Sequence, residues 1–88
     1  MFTIEELKDI YRRLYDANVE AADEEYLEYF EREFDFERLD QCETVEDVKD
    51  ELSHLVEEIL NDTGSEEITR EWLIEAGADD DLLSVCGL

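Results

Sequence analysis

The stretch T-V-E-D-V-K-D-E-L-S-H-L-V-E-E-I-L-N-D-T-G, Thr44 to Gly64, decides the fold. Val45, Val48, Leu52, Leu55, Val56 and Ile59 recur at intervals of three and four, the period of an α-helix with one apolar face. Thr44, followed by Asp47, supplies the N-terminal cap, the periodicity runs to Asn61, and Gly64 can take the left-handed conformation that ends a helix. This is the expected central helix.

Outward from it, the same signals recur. Thr3 with Glu6 forms a capping box, and Phe2 and Leu7 stand where a hydrophobic staple fixes the entry of the chain. Ile4, Leu7, Ile10, Tyr11, Leu14 and Tyr15 then make an apolar stripe to about Asp16. A second helix, from Asn18 or Asp23 to about Phe34, places Val19, Ala22, Tyr26, Leu27, Phe30 and Phe34 on one side. Phe34, Phe36 and Leu39 fall among charged residues. An irregular connection is favoured there over a strand, because a lone strand leaves its backbone groups unpaired. Ser65 caps a shorter helix bearing Ile68, Trp72, Leu73 and Ala76, which Gly77 ends. Asp79, Asp80 and Asp81 suit the N-terminus of a last one carrying Leu82, Leu83, Val85 and Cys86. There is no proline, repeat or low-complexity linker. The expectation is an all-α fold, a compact bundle of four to five short helices forming a single acidic domain over residues 1–88.

Charge is the dominant chemical feature. Twenty-nine Asp and Glu against seven Lys and Arg give a formal net charge of −22, while 43% hydrophobic residues and nine aromatics set the chain apart from a disordered acidic tail. Carboxylates are too costly to bury unpaired, so nearly all of them belong on the surface. Lys8, Arg12, Arg13 and Arg32 stand three or four positions from acids and are expected to pair locally. The remaining surplus repels nucleic acid and anionic membranes and steers the chain toward basic protein surfaces. No apolar run reaches the length of a membrane span and Met1 leads directly into a helix signal, so a soluble, cytoplasmic protein of a bacterial or archaeal host is expected, as a monomer or small homo-oligomer.

The acids are ordered. Glu20, Glu24, Glu28, Glu31 and Asp35 follow spacings of 4, 4, 3 and 4, which on one helix would form a row opposite the apolar stripe, with neighbours about 6 Å apart along the axis. That is of the order of the phosphate spacing in a nucleic-acid strand. Asp47, Glu51, Glu58 and Asp62 form a second row, interrupted by His54, and Glu67, Glu71 and Glu75 a third. Like charges at i,i+4 cost a helix about 0.2–0.5 kcal/mol per pair, so the rows call for an explanation beyond stability. Solvation of a small domain needs a net charge of only about 2 to 8. Adaptation to high salt would suit the scarcity of lysine, since only Lys8 and Lys49 are present, but fits less well with the aromatic content and the preference for Glu over Asp.

Other chemistry is poorly provided for. Asp16, Asn18 and Glu20 match the first positions of a calcium-binding loop, but Ala21 stands where the glycine is needed and Leu27 where the bidentate glutamate is needed. The stretch from Ile59 to Leu83, with Ile68, Thr69 and Gly77-Ala78-Asp79, faintly resembles the first helix and loop of an acyl carrier protein. Asp80 replaces the serine that would carry the prosthetic arm, and Ser84 is displaced from it. His54 is the single histidine and has no nucleophile pattern around it, while Cys42 and Cys86 lack the close ligand spacing of a zinc site and are expected to be simple structural residues. No enzyme, metal or cofactor is expected.

In type, the chain resembles the small acidic inhibitors that phages make against host defences, including anti-CRISPR proteins that mimic DNA. The resemblance implies a protein-binding inhibitor whose carboxylates occupy the lysine and arginine sites of a basic nucleic-acid-binding protein, a CRISPR effector first among them, with Tyr29 supplying contact at the interface centre. The alternative expectation is an acidic interaction module, an antitoxin or partner subunit, or a halophile-adapted helical domain with no mimicry. Convergence of the rows on one face favours mimicry, and an even spread of acids favours solvation.

Overall fold

The computed structural model describes residues 2–88, and these are all-α: α1 (Ile4–Ala21), α2 (Glu24–Glu33), α3 (Phe36–Gln41), α4 (Val45–Thr63), α5 (Glu66–Glu75) and α6 (Asp80–Val85), with no strand among the described residues. The five helices expected from periodicity are all present. At the start of α1, Thr3 Oγ1 accepts from the Glu6 N–H at 3.2 Å and Glu6 Oε1 accepts from the Thr3 N–H at 2.9 Å, which completes the capping box. The helix runs past Asp16 to Ala21, because Tyr15, Asn18 and Val19 continue its inner face; Asn18 is only 1% exposed. Of the two starts considered for the second helix, Asp23 is the one used. Ala22 is extended and the Asp23 carboxylate accepts from the Tyr26 N–H at 2.9 Å.

The connection after α2 is not irregular. Phe34 and Asp35 are extended, the Asp35 side chain accepts from the Glu37 N–H at 3.1 Å, and the short helix α3 follows. A local cap overrides the broken periodicity, and α3 buries Leu39 fully and Phe36 in part.

α4 is the spine. Val48, Leu52, Leu55, Val56 and Ile59 are all fully buried on it, and Gly64, at φ 65°, closes it. α1 makes the most extensive contact with it, α5 packs against both α4 and α1, and α3 also meets α4. α2 attaches mainly through aromatic rings. Phe30, its one fully buried residue, lies 4.8 Å from Tyr15, 5.6 Å from Tyr26 and 5.3 Å from Phe34 between ring centroids, while Tyr15 continues the contact to Phe36. The Cα envelope is a slab of 35 × 27 × 16 Å.

Two residues expected inside are exposed. Ile68 (41%) stands one position before Thr69, and Thr69 and Leu73 take the inward positions of α5. Val85 (48%) lies two positions beyond Leu83, about 200° around the short helix α6. No helix among the described residues is long and apolar enough to cross a membrane.

Candidate functional site

The row drawn from Glu20 to Asp35 does not exist as one line. Glu20 belongs to α1, Asp35 caps α3, and only Glu24, Glu28 and Glu31 share α2. The spacing was regular across residues 20–35, but Ala22–Asp23 and Phe34–Asp35 are extended, and each extended pair resets the helical phase. The three on α2 are exposed as expected. Glu31 lies toward α1, where it joins Asp35 and Asp16 in raising the pKa of the Tyr15 hydroxyl beyond what burial alone does.

The α4 row is continuous, but it does not face straight out. Asp47, Glu51, Glu58 and Asp62 run along the edge of the buried stripe, so Glu51 and Glu58 are half-buried where the other two are exposed. At one end, Asp47 and Glu51 line a groove with Arg38, Gln41 and Cys42, beside α3. At the other, Glu58 Oε1 accepts from the Tyr26 hydroxyl at 3.4 Å, and that hydroxyl accepts from Asn18 Nδ2 at 3.4 Å. This chain ties α1, α2 and α4 together. Burial is the main reason that the Tyr26 phenol is pushed up to about 12; the Asn18 amide opposes the shift, and the charges of Glu58 and Asp62 add to it. Glu58 therefore has a structural duty that its place in the row did not reveal.

The α4 row thus meets α2 at Glu58 and α3 at Asp47 and Glu51, whereas in the α2 row Glu31 lies toward Tyr15 of α1. The third row, Glu67, Glu71 and Glu75, is exposed on α5. In all, 27 of the 29 carboxylate side chains are exposed, and among the described residues only two make ion pairs. Arg13 pairs with Asp9 at 3.1 Å, the local i,i+4 pair expected. Arg12 instead reaches Asp40 at 3.5 Å, because α3 folds back beside α1, and among the described residues no ion pair is found for Lys8 or Arg32. Both bridges are solvated, a setting in which such pairs contribute about 0–1 kcal/mol. α1 carries three of the seven cations against five acids and takes part in both bridges; among the described residues the carboxylates of α2, α4, α5 and α6 have no ion-pair partner.

Tyr29 is 47% exposed, as its candidate role requires. With about 100° of turn per residue, it lies between about 100° and 160° around α2 from Glu24, Glu28 and Glu31. Its carboxylate neighbours on the helix are Glu25 and Glu33, one turn to either side, both exposed. Neither residue belongs to the rows read from the sequence; their helical phase relative to Tyr29 is the signal that marks them. The Tyr29 ring lies 6.2 Å from that of Tyr26, which connects it to the Glu58 end of the α4 row.

His54 is exposed, and its Nδ1–H donates to the Asp50 backbone carbonyl at 3.0 Å. Cys42 and Cys86 are both free thiols, half-buried, and burial is the main cause raising the pKa of each. Among the described residues no three His, Cys, Asp or Glu side chains gather so as to hold a metal ion. No protein-family model, curated protein or solved structure matches the chain.

Proposed function

We propose that this chain is a protein-binding inhibitor that competes with nucleic acid for the basic surface of a nucleic-acid-binding protein. The observation that carries the reading is the largely unpaired carboxylate surface: 27 exposed acids, two of them in ion pairs among the described residues. A partner's lysines and arginines would replace hydration and relieve self-repulsion, just as they release counterions from a phosphate backbone. The α4 row spans about 22 Å from Asp47 to Asp62, from a rise of about 1.5 Å per residue, and offers a linear edge to such a partner. A CRISPR effector's DNA-binding surface is the first target this reading selects.

The test is capture from a bacterial lysate on the immobilised protein, followed by elution with duplex DNA. The comparison variant combines Asp47→Asn, Glu51→Gln, Glu58→Gln and Asp62→Asn. Retention of one nucleic-acid-binding complex, released by DNA and lost in the variant, is expected. Equal retention of many basic proteins by both forms would sink the proposal.

A second reading has its own observation. Exposed carboxylates are carried by all six helices, which suits a surface selected for hydration. On that reading, molar salt stabilises the fold and no specific complex is captured.

A further inference from the structure

Tyr29 is the exposed outer end of an aromatic series that reaches the core. Its ring is 6.2 Å from Tyr26, Tyr26 stacks on Phe30 at 5.6 Å, and Phe30 is fully buried against Tyr15 at 4.8 Å. The hydroxyl of Tyr26 is itself held between Asn18 and Glu58. The ring that Tyr29 presents therefore rests on an ordered support, which lowers the entropy lost when a partner docks on it. Glu25 and Glu33 stand about 40° to either side of it on the helix, and neither has an ion-pair partner among the described residues. Arg32, the nearest cation in sequence, lines the groove at the α2–α3 corner with Glu33, Asp35, Glu37 and a second arginine, Arg38.

An exposed aromatic ring with a glutamate one helical turn to either side suits one side chain above others. Guanidinium is planar, stacks on an aromatic ring, is weakly hydrated, and offers donors in its own plane to carboxylates at the ring's edges; an ammonium is a compact and strongly hydrated point charge. We infer that Tyr29, with Glu25 and Glu33, is a contact that receives an arginine side chain of the basic partner and prefers it to lysine. The inference rests on the proposed function, because it deepens the identity of the partner.

The experiment measures fluorescence anisotropy of labelled nona-arginine and nona-lysine peptides, equal in charge, with the folded protein at about physiological ionic strength, where exposed charges are screened beyond about 8 Å. Wild type should bind the arginine peptide about two- to five-fold more tightly than the lysine peptide, the scale of an exposed cation–π contact. Tyr29→Ala should remove that preference, Tyr29→Phe should keep it, and Glu25→Gln with Glu33→Gln should weaken both peptides. Equal binding of the two peptides by wild type, or an undiminished preference in Tyr29→Ala, overturns the inference. Retained DNA-competed capture alongside such a result would leave the proposed function standing, and lost capture with an intact arginine preference would remove that function alone.

Discussion

α4 and α2 are written in the same terms, a side-chain cap, an apolar stripe and a flank of carboxylates, yet they hold to the fold differently. α4 buries five aliphatic side chains completely over 19 residues and ends in a left-handed glycine. α2 has 10 residues, buries Phe30 alone, and ends in an extended Phe34. The difference lies in side-chain reach. Aliphatic residues bring helix backbones close, whereas the rings of Tyr15, Tyr26, Phe30 and Phe34 let α2 stand off from the spine and show more of its circumference to solvent.

The largest test of that contrast removes one anchor from each helix. Leu55→Ala leaves a cavity in the aliphatic core and should cost about 2–5 kcal/mol, a large fraction of the roughly 0.05–0.15 kcal/mol per residue that holds a domain together. Its urea midpoint should collapse, with amides of every helix losing protection. Phe30→Ala removes about 3–5 kcal/mol of packing in principle, but that packing belongs to one peripheral helix. Hydrogen exchange should show α2 amides opening while α4 amides stay protected. Equal loss of protection in α2 and α4 would break the comparison and make the molecule one cooperative unit.

Alkaline pH separates the two regions by chemistry. Tyr11, Tyr15 and Tyr26 all belong to the aromatic region, and burial is the main reason each has its pKa raised, that of Tyr26 to about 12. The neutral phenol is the folded form, so this stabilisation is complete below the unfolded value near 10 and is lost as pH rises through the raised values. Urea midpoints should therefore fall steadily between about pH 10 and pH 12, and α2 amides should exchange first. A flat profile across that range would show that the phenols are not sequestered.

The link between the regions is Tyr26. Tyr26→Phe removes the hydroxyl whose oxygen accepts from Asn18 Nδ2 and whose O–H donates to Glu58, leaving a buried amide without its partner at a cost of about 1–3 kcal/mol. Adding Asn18→Leu should restore part of the loss, read as recovery of the melting temperature, since an unpaired polar group costs more than an apolar replacement of similar size. No recovery would mean that the three-residue chain adds little.

How far all this was legible follows from which signals are local. Caps at Thr3, Thr44 and Ser65 and the stripe from Val45 to Ile59 could be read directly, because each depends on residues within one or two turns. α3 was not legible: Asp35 caps it, but its apolar residues are too few to show a period. The five-acid row failed for the opposite reason, a period that persisted in the letters through two extended breaks in the chain. Neither the Arg12–Asp40 pair nor the Glu58–Tyr26 bond could be read from spacing, since both join residues about 30 positions apart.

The smallest test asks what the surplus charge costs where nothing else depends on it. Glu28 has Glu24 one turn before it, Glu31 nearly one turn after it, and no ion-pair partner among the described residues. Glu28→Lys turns two like-charge neighbours into attractive ones and puts a lysine four residues after a glutamate, the favourable order on a helix. It should stabilise α2 by about half a kcal/mol at low salt, reduced by the new neighbour Arg32, and the gain should vanish near 1 M salt. Glu58→Lys on α4 should give the reverse, because the Tyr26 hydroxyl loses its acceptor there. Paired melting curves at low and high salt decide the matter. If Glu28→Lys stabilises and Glu58→Lys does not, the acids of α2 oppose folding and are retained for what they meet outside the fold, whereas those at the α4 seam also serve the fold itself. If both destabilise alike, the α2 row is tied into the structure and the contrast between the helices fails at its surface.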